Sequence, residues 1–432
     1  MKKGANFREQ QPISFAKTLN SFSADLDNFI TKWSKRENIP LGYFEPWSNK
    51  IFDMVRNNLK TLGDCDNSNN NKIILKDPTI IDSLHSLHER FVIVPIDKAS
   101  NNFALICKHY YIKRMNKELG ITNSEILGND IYSPCNDDPN SIISRQIKDL
   151  KDLHIQVRKD QHKLPLLYFN SKQHKNPYKE RFIAGASKCT TKTLSVEVSL
   201  ALKLLKSHFK NYCNKIFKRT GINCFWSIEN SNEFLQKLKK VDKASSIHTF
   251  DFSTLYTNLP LKKLEISLQQ FIMKMFNNSD HKFINVNSSK KNAFWSNTKY
   301  LGHKIYNCND LIDAVKYILD NTYVTYGPLL FKQITGIPMG GNCSQDMADI
   351  HLIWREYTYM IRLMKTNFDL AKKLSNNSRY IDDIATLNID NFGKLALEIY
   401  DRELLLEPSQ TNGLEDNFLD INIRIINNTF IT

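Results

Sequence analysis

A chain of 432 residues, 41% hydrophobic and 24% charged, can bury a large core and is neither low-complexity nor disordered as a whole. Its net charge of +14 and pI near 9.2 imply a polyanionic partner, either nucleic acid or an acidic membrane surface. No run approaches the roughly eighteen apolar residues of a membrane span, Met1-Lys2-Lys3-Gly4 opens no signal-peptide core, and the eight scattered cysteines form no CxxC pair; the expectation is an intracellular protein with reduced thiols and no membrane partner.

Phe15, Leu19, Phe22, Leu26 and Phe29-Ile30 recur at helical spacing, so the first sixty or so residues read as helical. The polar run DCDNSNNN (64–71) reads as a linker. Phe91–Asp97 and Phe103–Cys107 look like two strands joined by an Asn-Asn turn, followed by a basic amphipathic helix from Tyr110 to Leu119.

The excess charge is concentrated. Between Arg158 and Arg219 stand fifteen Lys or Arg and only three acids, Asp160, Glu180 and Glu197. A solvated face normally mixes both signs, so this stretch reads as phosphate-facing. Within it, Leu164–Phe169 and Arg181–Gly185 form a second strand pair around a basic loop containing Lys172, His174, Lys175 and Tyr178. Arg181 opens its strand, where its fork can hold phosphate oxygens at two points. A long helix then runs from about Thr193 to Phe217, with Leu194, Val198, Leu202, Leu205, Phe209 and Ile216 on one face.

Thr249-Phe250-Asp251-Phe252 reads as a strand end carrying one acid, and Tyr256 follows in the connection to a helix with Leu261, Leu264, Leu268 and Ile272 on one face. Residues 277–309 are polar and read as an irregular insertion. A helix over Leu311–Leu319 and a hairpin turning at Gly327-Pro328 follow. Gln333 begins a loop through Gly336, Met339, Gly340 and Gly341 that leads into a helix (Met347, Ile350, Trp354, Tyr357, Ile361). Such a loop lets backbone approach a ligand, although tight turns use the same residues, and it lacks the Gly-Lys-Ser/Thr of a Walker loop.

Ser378–Leu387 is the organising stretch. Apolar residues flank Asp382 and Asp383 in what reads as a short buried hairpin. Adjacent acids in a segment that favours burial call for a cation; the plainer alternative is a hairpin tip with solvated acids. A helix over Phe392–Tyr400, a strand over Glu403–Leu406 and an alternating strand over Phe418–Ile426 complete the chain.

In order, FVIVPIDKASNN (91–102), LPLLYFNSKQHK (164–175), RFIAG (181–185), FDFSTLYTNLP (250–260), QITGIPMGGNCS (333–344), RYIDD (379–383) and NFLDINI (417–423) resemble the reverse transcriptases of the Penelope-like retroelement group. The FVIVPIDK piece separates this group from retroviral enzymes. The resemblance implies an α+β right-hand fold: an N-terminal helical region and linker over 1–70, a fingers-like region with the basic nucleic-acid-binding surface over 71–240, and an antiparallel palm sheet packed on helices over 241–432. It implies an RNA-directed DNA polymerase that extends a primer with dNTPs. Asp251, Asp382 and Asp383 would be the catalytic acids and metal ligands for two Mg²⁺ ions about 3.5–4 Å apart, with Mn²⁺ an acceptable substitute.

By the same resemblance Arg181, with Lys172 or Lys175, would hold the triphosphate, and Tyr256 would lie under the sugar, where a 2′-hydroxyl clashes. Gln333, Gly336, Met339 and Gly340 would pack against the nucleotide and template base. The partners implied are an RNA template, a DNA primer and dNTPs, and the nucleus is favoured over the cytoplasm. Three departures stand out. Gly341-Asn-Cys-Ser-Gln345 replaces the family's Ser-Pro-Leu-Ser-Pro-like residues, and neither a helical thumb nor the GIY-YIG endonuclease of many relatives is expected after 426. These departures keep open a decayed or co-opted RNA/DNA-binding module of retroelement origin, and more distantly an RNA-making viral polymerase.

Overall fold

The computed structural model describes residues 15–37, 39–62, 78–122, 125–173, 177–241, 243–409 and 413–432. They are a mixture of helices and mainly antiparallel sheets, as the α+β reading expects. The linker expected over 64–71 lies outside the described residues. Among the described residues no helix is long and apolar enough to cross a membrane, and no disulfide occurs.

The chain divides into two compact units, Met1–Lys113 with Ser171–Lys179, and Arg114–Asn170 with Glu180–Thr432. This division cuts across the expected boundary at 240. The reason is one continuous core in the second unit, in which Leu194, Leu202 and Phe209 of the expected fingers pack with Phe250, Leu268, Met347 and Ile384 of the expected palm.

In the first unit, helices Phe15–Glu37 and Glu45–Leu62 are fastened by aromatic rings. Trp33 lies 4.9 Å from Phe44 and 5.9 Å from Trp47 between centroids. The strands Phe91–Ile96 and Ala99–Cys107 form an antiparallel hairpin. Its turn is Asp97-Lys98, with Lys98 at φ 62°, and the Asn-Asn pair expected to form the turn lies within the second strand. Asp97 supplies the turn earlier than the Asn-Asn signal suggests.

In the second unit, the long helix is Lys192–Thr220, closed by Gly221 in the left-handed region at φ 73°. It packs beside helices Leu261–Asn277, Cys308–Asp320 and Ser344–Thr366. One sheet pairs Leu329–Gln333 with Tyr323–Tyr326 and with Tyr132–Cys135, and Thr325 sits opposite Leu166 in parallel. A second sheet has the order Ser378–Tyr380, Asp383–Leu387, Ile247–Phe252, Leu406–Pro408. Its last strand starts at Leu406, a few residues later than the sequence suggests.

Two further expectations change. Residues 277–309 are not irregular: Phe283–Asn287, Asn292–Ser296 and Lys304–Tyr306 form a three-stranded antiparallel sheet. Ile284, Val286 and Tyr306 join the main core, and that alternation was hidden by the surrounding Asn, Ser and Lys. The strand expected over 418–426 is a hairpin, Glu415–Phe418 against Ile421–Ile426, turning at Leu419 with φ 56°. Alternation continued through the turn because its side chains keep the same apolar-polar order.

Candidate active site

Strand Ile247–Phe252 buries Ile247, Thr249, Phe250 and Phe252 and leaves Asp251 part exposed near its end. Its antiparallel neighbour places Asp383 directly opposite Asp251. The two-residue turn Ile381-Asp382 brings the third acid round, and the Asp382 carbonyl accepts from the Phe252 amide at 3.2 Å. One carboxylate oxygen from each of Asp251, Asp382 and Asp383 lies within 4.8 Å of the others. Like charges facing across a strand pair repel by tenths of a kcal/mol, up to about 1 kcal/mol. Hard divalent cations favour a cluster of such oxygens, so the donor set fits Mg²⁺. On the other side of Asp251, Glu407 is its register partner, which puts acids on three consecutive strands. Sequence reasoning missed Glu407. Its only signal is an acid after Leu404-Leu405-Leu406, and nothing local pairs it with Asp251.

The turn is braced from beneath. Ile381 has φ 56°, an unfavourable conformation for a β-branched residue. Arg379, fully buried, donates from Nη1 to the Ile381 carbonyl at 2.8 Å and to Asp349 Oδ1 at 2.7 Å, and its Nε donates to Glu356. Asp349 also accepts from Lys206 Nζ at 2.5 Å, and Glu356 from the Tyr400 hydroxyl at 2.9 Å. Burial would raise the Asp349 carboxyl, but Arg379 and Lys206 outweigh it and hold it below the usual range. Burial wins at Glu356, whose carboxyl is raised despite Arg379. The Arg379 backbone is also fixed: its amide donates to the Trp226 carbonyl at 2.9 Å, and its carbonyl accepts from the Ile228 amide at 2.8 Å.

The glycine loop joins this sheet to the strand bearing Arg181. The Gly336 and Ile337 amides donate to the Leu259 and Tyr256 carbonyls at 2.8 and 2.7 Å. Gly336 has φ 74°, and a Cβ there would stand 2.3 Å from the Tyr256 carbonyl oxygen. On the other flank the Met339 carbonyl accepts from the Ala184 amide at 2.7 Å, and a Cβ on Gly340 would stand 2.4 Å from the Ala184 carbonyl oxygen. Arg181 sits in that strand, Lys179–Gly185, as its third residue and not its first. Burial, then the Asp382 and Asp349 carboxylates, push the Tyr256 phenol up to about 12, with Arg181 acting in the opposite direction. Tyr256 therefore lies within electrostatic reach of both Asp382 and Arg181.

Gln333 takes a different part from the one expected. It is 1% exposed, and its amide closes back on the Thr335 carbonyl at 3.0 Å, so it shapes the loop from inside and offers no ligand surface. Lys172 belongs to the first unit, and Lys175 lies outside the described residues. In the departure after the glycines, the Ser344 hydroxyl donates to the Pro338 carbonyl at 2.8 Å and the Cys343 amide to the Ser195 hydroxyl at 3.1 Å, so this unlike sequence still closes the loop onto the helix.

Neither a protein-family model nor a curated protein matches the sequence. Among solved structures, the chain is similar to telomerase from Candida albicans in complex with a fragment of telomeric RNA, at 13% identity and TM-score 0.49, over 81% of this chain and 55% of that one. It is also similar to apo telomerase from Candida tropicalis truncated from its C-terminal domain, at 12% identity and TM-score 0.48, over 100% of this chain and 74% of that one. The chain thus spans about half the length of the untruncated telomerases it matches.

Proposed function

We propose that this chain is an RNA-directed DNA polymerase of the Penelope-like kind, extending a DNA primer with dNTPs on an RNA template. The observation that carries the reading is the meeting of Asp251, Asp382 and Asp383 at the ends of paired strands. In this reading the sheet around Asp251 is the palm, and the strands leading to Gly185 belong to the fingers. The three carboxylates hold Mg²⁺, or Mn²⁺ in its place. Bound there, the ions supply charge stabilisation to the attacking and leaving oxygens of phosphoryl transfer.

The chain's own groups position the reactants. Arg181 receives triphosphate oxygens through its guanidinium fork. Tyr256, neutral at pH 7 like any phenol, lies under the sugar and excludes a 2′-hydroxyl. Gly336, Met339 and Gly340 present backbone and a thioether to the nucleotide and template base, and the template is held through its backbone, which tolerates any sequence. A nuclear site of action goes with this reading.

The test is primer extension on an oligo(dT)-primed poly(rA) template with dTTP and Mg²⁺. Incorporation is expected, and Asp382→Asn or Asp251→Asn should lower it by about a hundredfold or more. A folded sample that incorporates nothing, or an Asp382→Asn variant equal to wild type, overturns the reading. The +14 charge favours one second reading, a nucleic-acid-binding module without catalysis. Salt-sensitive RNA binding with no incorporation would establish it, and preference for ribonucleotides would indicate an RNA-making polymerase.

A further inference from the structure

Away from the carboxylates, the second unit contains a cavity of about 870 Å³. Its walls are the segment from His154 to Gln161, the first turns of the helix Lys192–Thr220, and the three-stranded sheet that ends at Tyr306. It shares no lining residue with the site described above. We propose that this cavity binds a single strand of nucleic acid at a second site, outside the carboxylate cleft.

Charge is the first reason. Arg158, Lys192, Lys291 and Lys304 line the cavity with His154 and His303. Arg158 is 62% exposed, and its acidic neighbour, Asp160 at 3.4 Å, is equally exposed, so that pair opens to a stronger anion with little loss. The acid in the wall, Glu197, is buried and already occupied. It accepts from the Tyr306 hydroxyl at 2.8 Å and the Ser288 hydroxyl at 3.1 Å. Lys304 is partly committed as well, donating to the Leu153 carbonyl at 2.5 Å and lying 5.3 Å from the Tyr306 ring centroid. Lys192 donates to the Ser187 carbonyl at 2.8 Å, an exposed bond that yields to a stronger anion, so Lys291, Lys192 and Arg158 together supply the attraction for a ligand. Two of these three, Arg158 and Lys192, come from the basic stretch between 158 and 219 and have no part in the polymerase reading.

A ring cluster around His303, which lines the cavity, is the second reason. His303 lies 5.7 Å from Phe294 and 5.9 Å from Tyr300, and Phe294 and Tyr300 are 5.2 Å apart. Two contacts orient the imidazole: Asn287 Nδ2 lies 3.2 Å from its Nε2, and the Leu301 carbonyl oxygen 3.3 Å from its Nδ1. Tyr300 is 46% exposed and Leu301 fully so, an apolar tip beside a cationic hollow. Cations that track a backbone, next to rings on which bases stack, are the combination that single strands recognise. A hollow of this size admits a nucleotide or two of a flexible strand, whereas a stiff duplex would lie across the mouth.

The test uses the full chain carrying Asp382→Asn, without divalent ions or dNTPs, so that binding is read independently of polymerisation. The probe is fluorescent oligo(rU), with double-stranded RNA as comparison, across a KCl series. Lys192→Glu with Lys291→Glu should weaken oligo(rU) binding about tenfold and flatten the salt slope by about 0.7 per lost phosphate contact. Tyr300→Ala should weaken binding about fivefold or more with the slope unchanged, since a stacked base carries no charge. Equal losses for duplex and single strand would replace the proposal with a general phosphate surface. Unchanged oligo(rU) affinity and slope in the charge variant would overturn it outright. In a chain with Asp382 intact, the same Lys substitutions should leave extension on a short primer-template unaltered, so failure here and failure of the polymerase reading are separate results.

Discussion

At the scale of single residues, glycines that look alike in sequence carry different constraints. Gly336 combines φ 74° with a backbone oxygen 2.3 Å from where a Cβ would stand, and Gly340 combines φ 116° with one 2.4 Å away. Gly393, in the helix Phe392–Ile399, has nothing within 4 Å. Gly336→Ala and Gly340→Ala should each cost of order 1–3 kcal/mol and lower incorporation, because the loop must leave Tyr256 or Ala184. Gly393→Ala should gain about 0.5–1 kcal/mol with incorporation unchanged. Urea denaturation beside primer extension checks all three. The sequence marked this loop as glycine-rich but could not rank its glycines, because the opposing carbonyls come from residues some 80 and 156 positions earlier. It also assigned Gln333 to the ligand, since nothing local shows that its amide turns inward.

At the scale of elements, the acid-bearing hairpin depends on one buried guanidinium. Arg379→Met leaves the buried Glu356 without a cationic partner and Asp349 with Lys206 alone, and should cost about 3–5 kcal/mol. Arg379→Lys keeps the charge but loses the fork and cannot reach both acids and the Ile381 carbonyl together. It should fold and yet need more Mg²⁺ for half-maximal incorporation, a readout that a merely structural loss would not move. Titrating Mg²⁺ in extension assays of folded Arg379→Lys decides this. The hairpin itself was legible, because Ile381, Ile384 and Leu387 bracket the acids within one short stretch. Its support was not: Asp349 and Glu356 sit on the helix Ser344–Thr366, and nothing local in sequence pairs them with Arg379. The sheet within 277–309 was missed for a related reason, since Asn285 is fully buried but polar and interrupts the apolar pattern.

At the scale of the whole molecule, buried acids set the response to pH. Against their burial, Arg379 and Lys206 hold Asp349 below the usual carboxylate range, and His351, Arg355 and Lys263 do the same for Asp401. A carboxyl depressed in the fold stabilises it above its unfolded value and loses that contribution as pH falls through the folded value. Stability should therefore fall steeply below about pH 4. Glu356 and Glu118, both raised by burial and Glu118 to about 7, bind protons more readily in the fold, so stability should rise modestly as pH falls from 7 to 5 before the depressed acids reverse it. Urea midpoints at pH 7, 5 and 3.5 test the profile, and Asp401→Asn should shallow its acid limb. The net charge was visible in composition, whereas the two-unit division was not, because the helix Lys192–Thr220 carries lysines on one face and core residues of the later half on the other. The loop carrying Gly336 and Gly340 is bonded through its backbone to both of its neighbours. In exchange terms, the amides of Ala184, Gly336 and Ile337 share one protecting event. Solvent reaches them together when the loop lifts from both sides, so the free energy of that single opening measures how stiffly the cleft holds its shape.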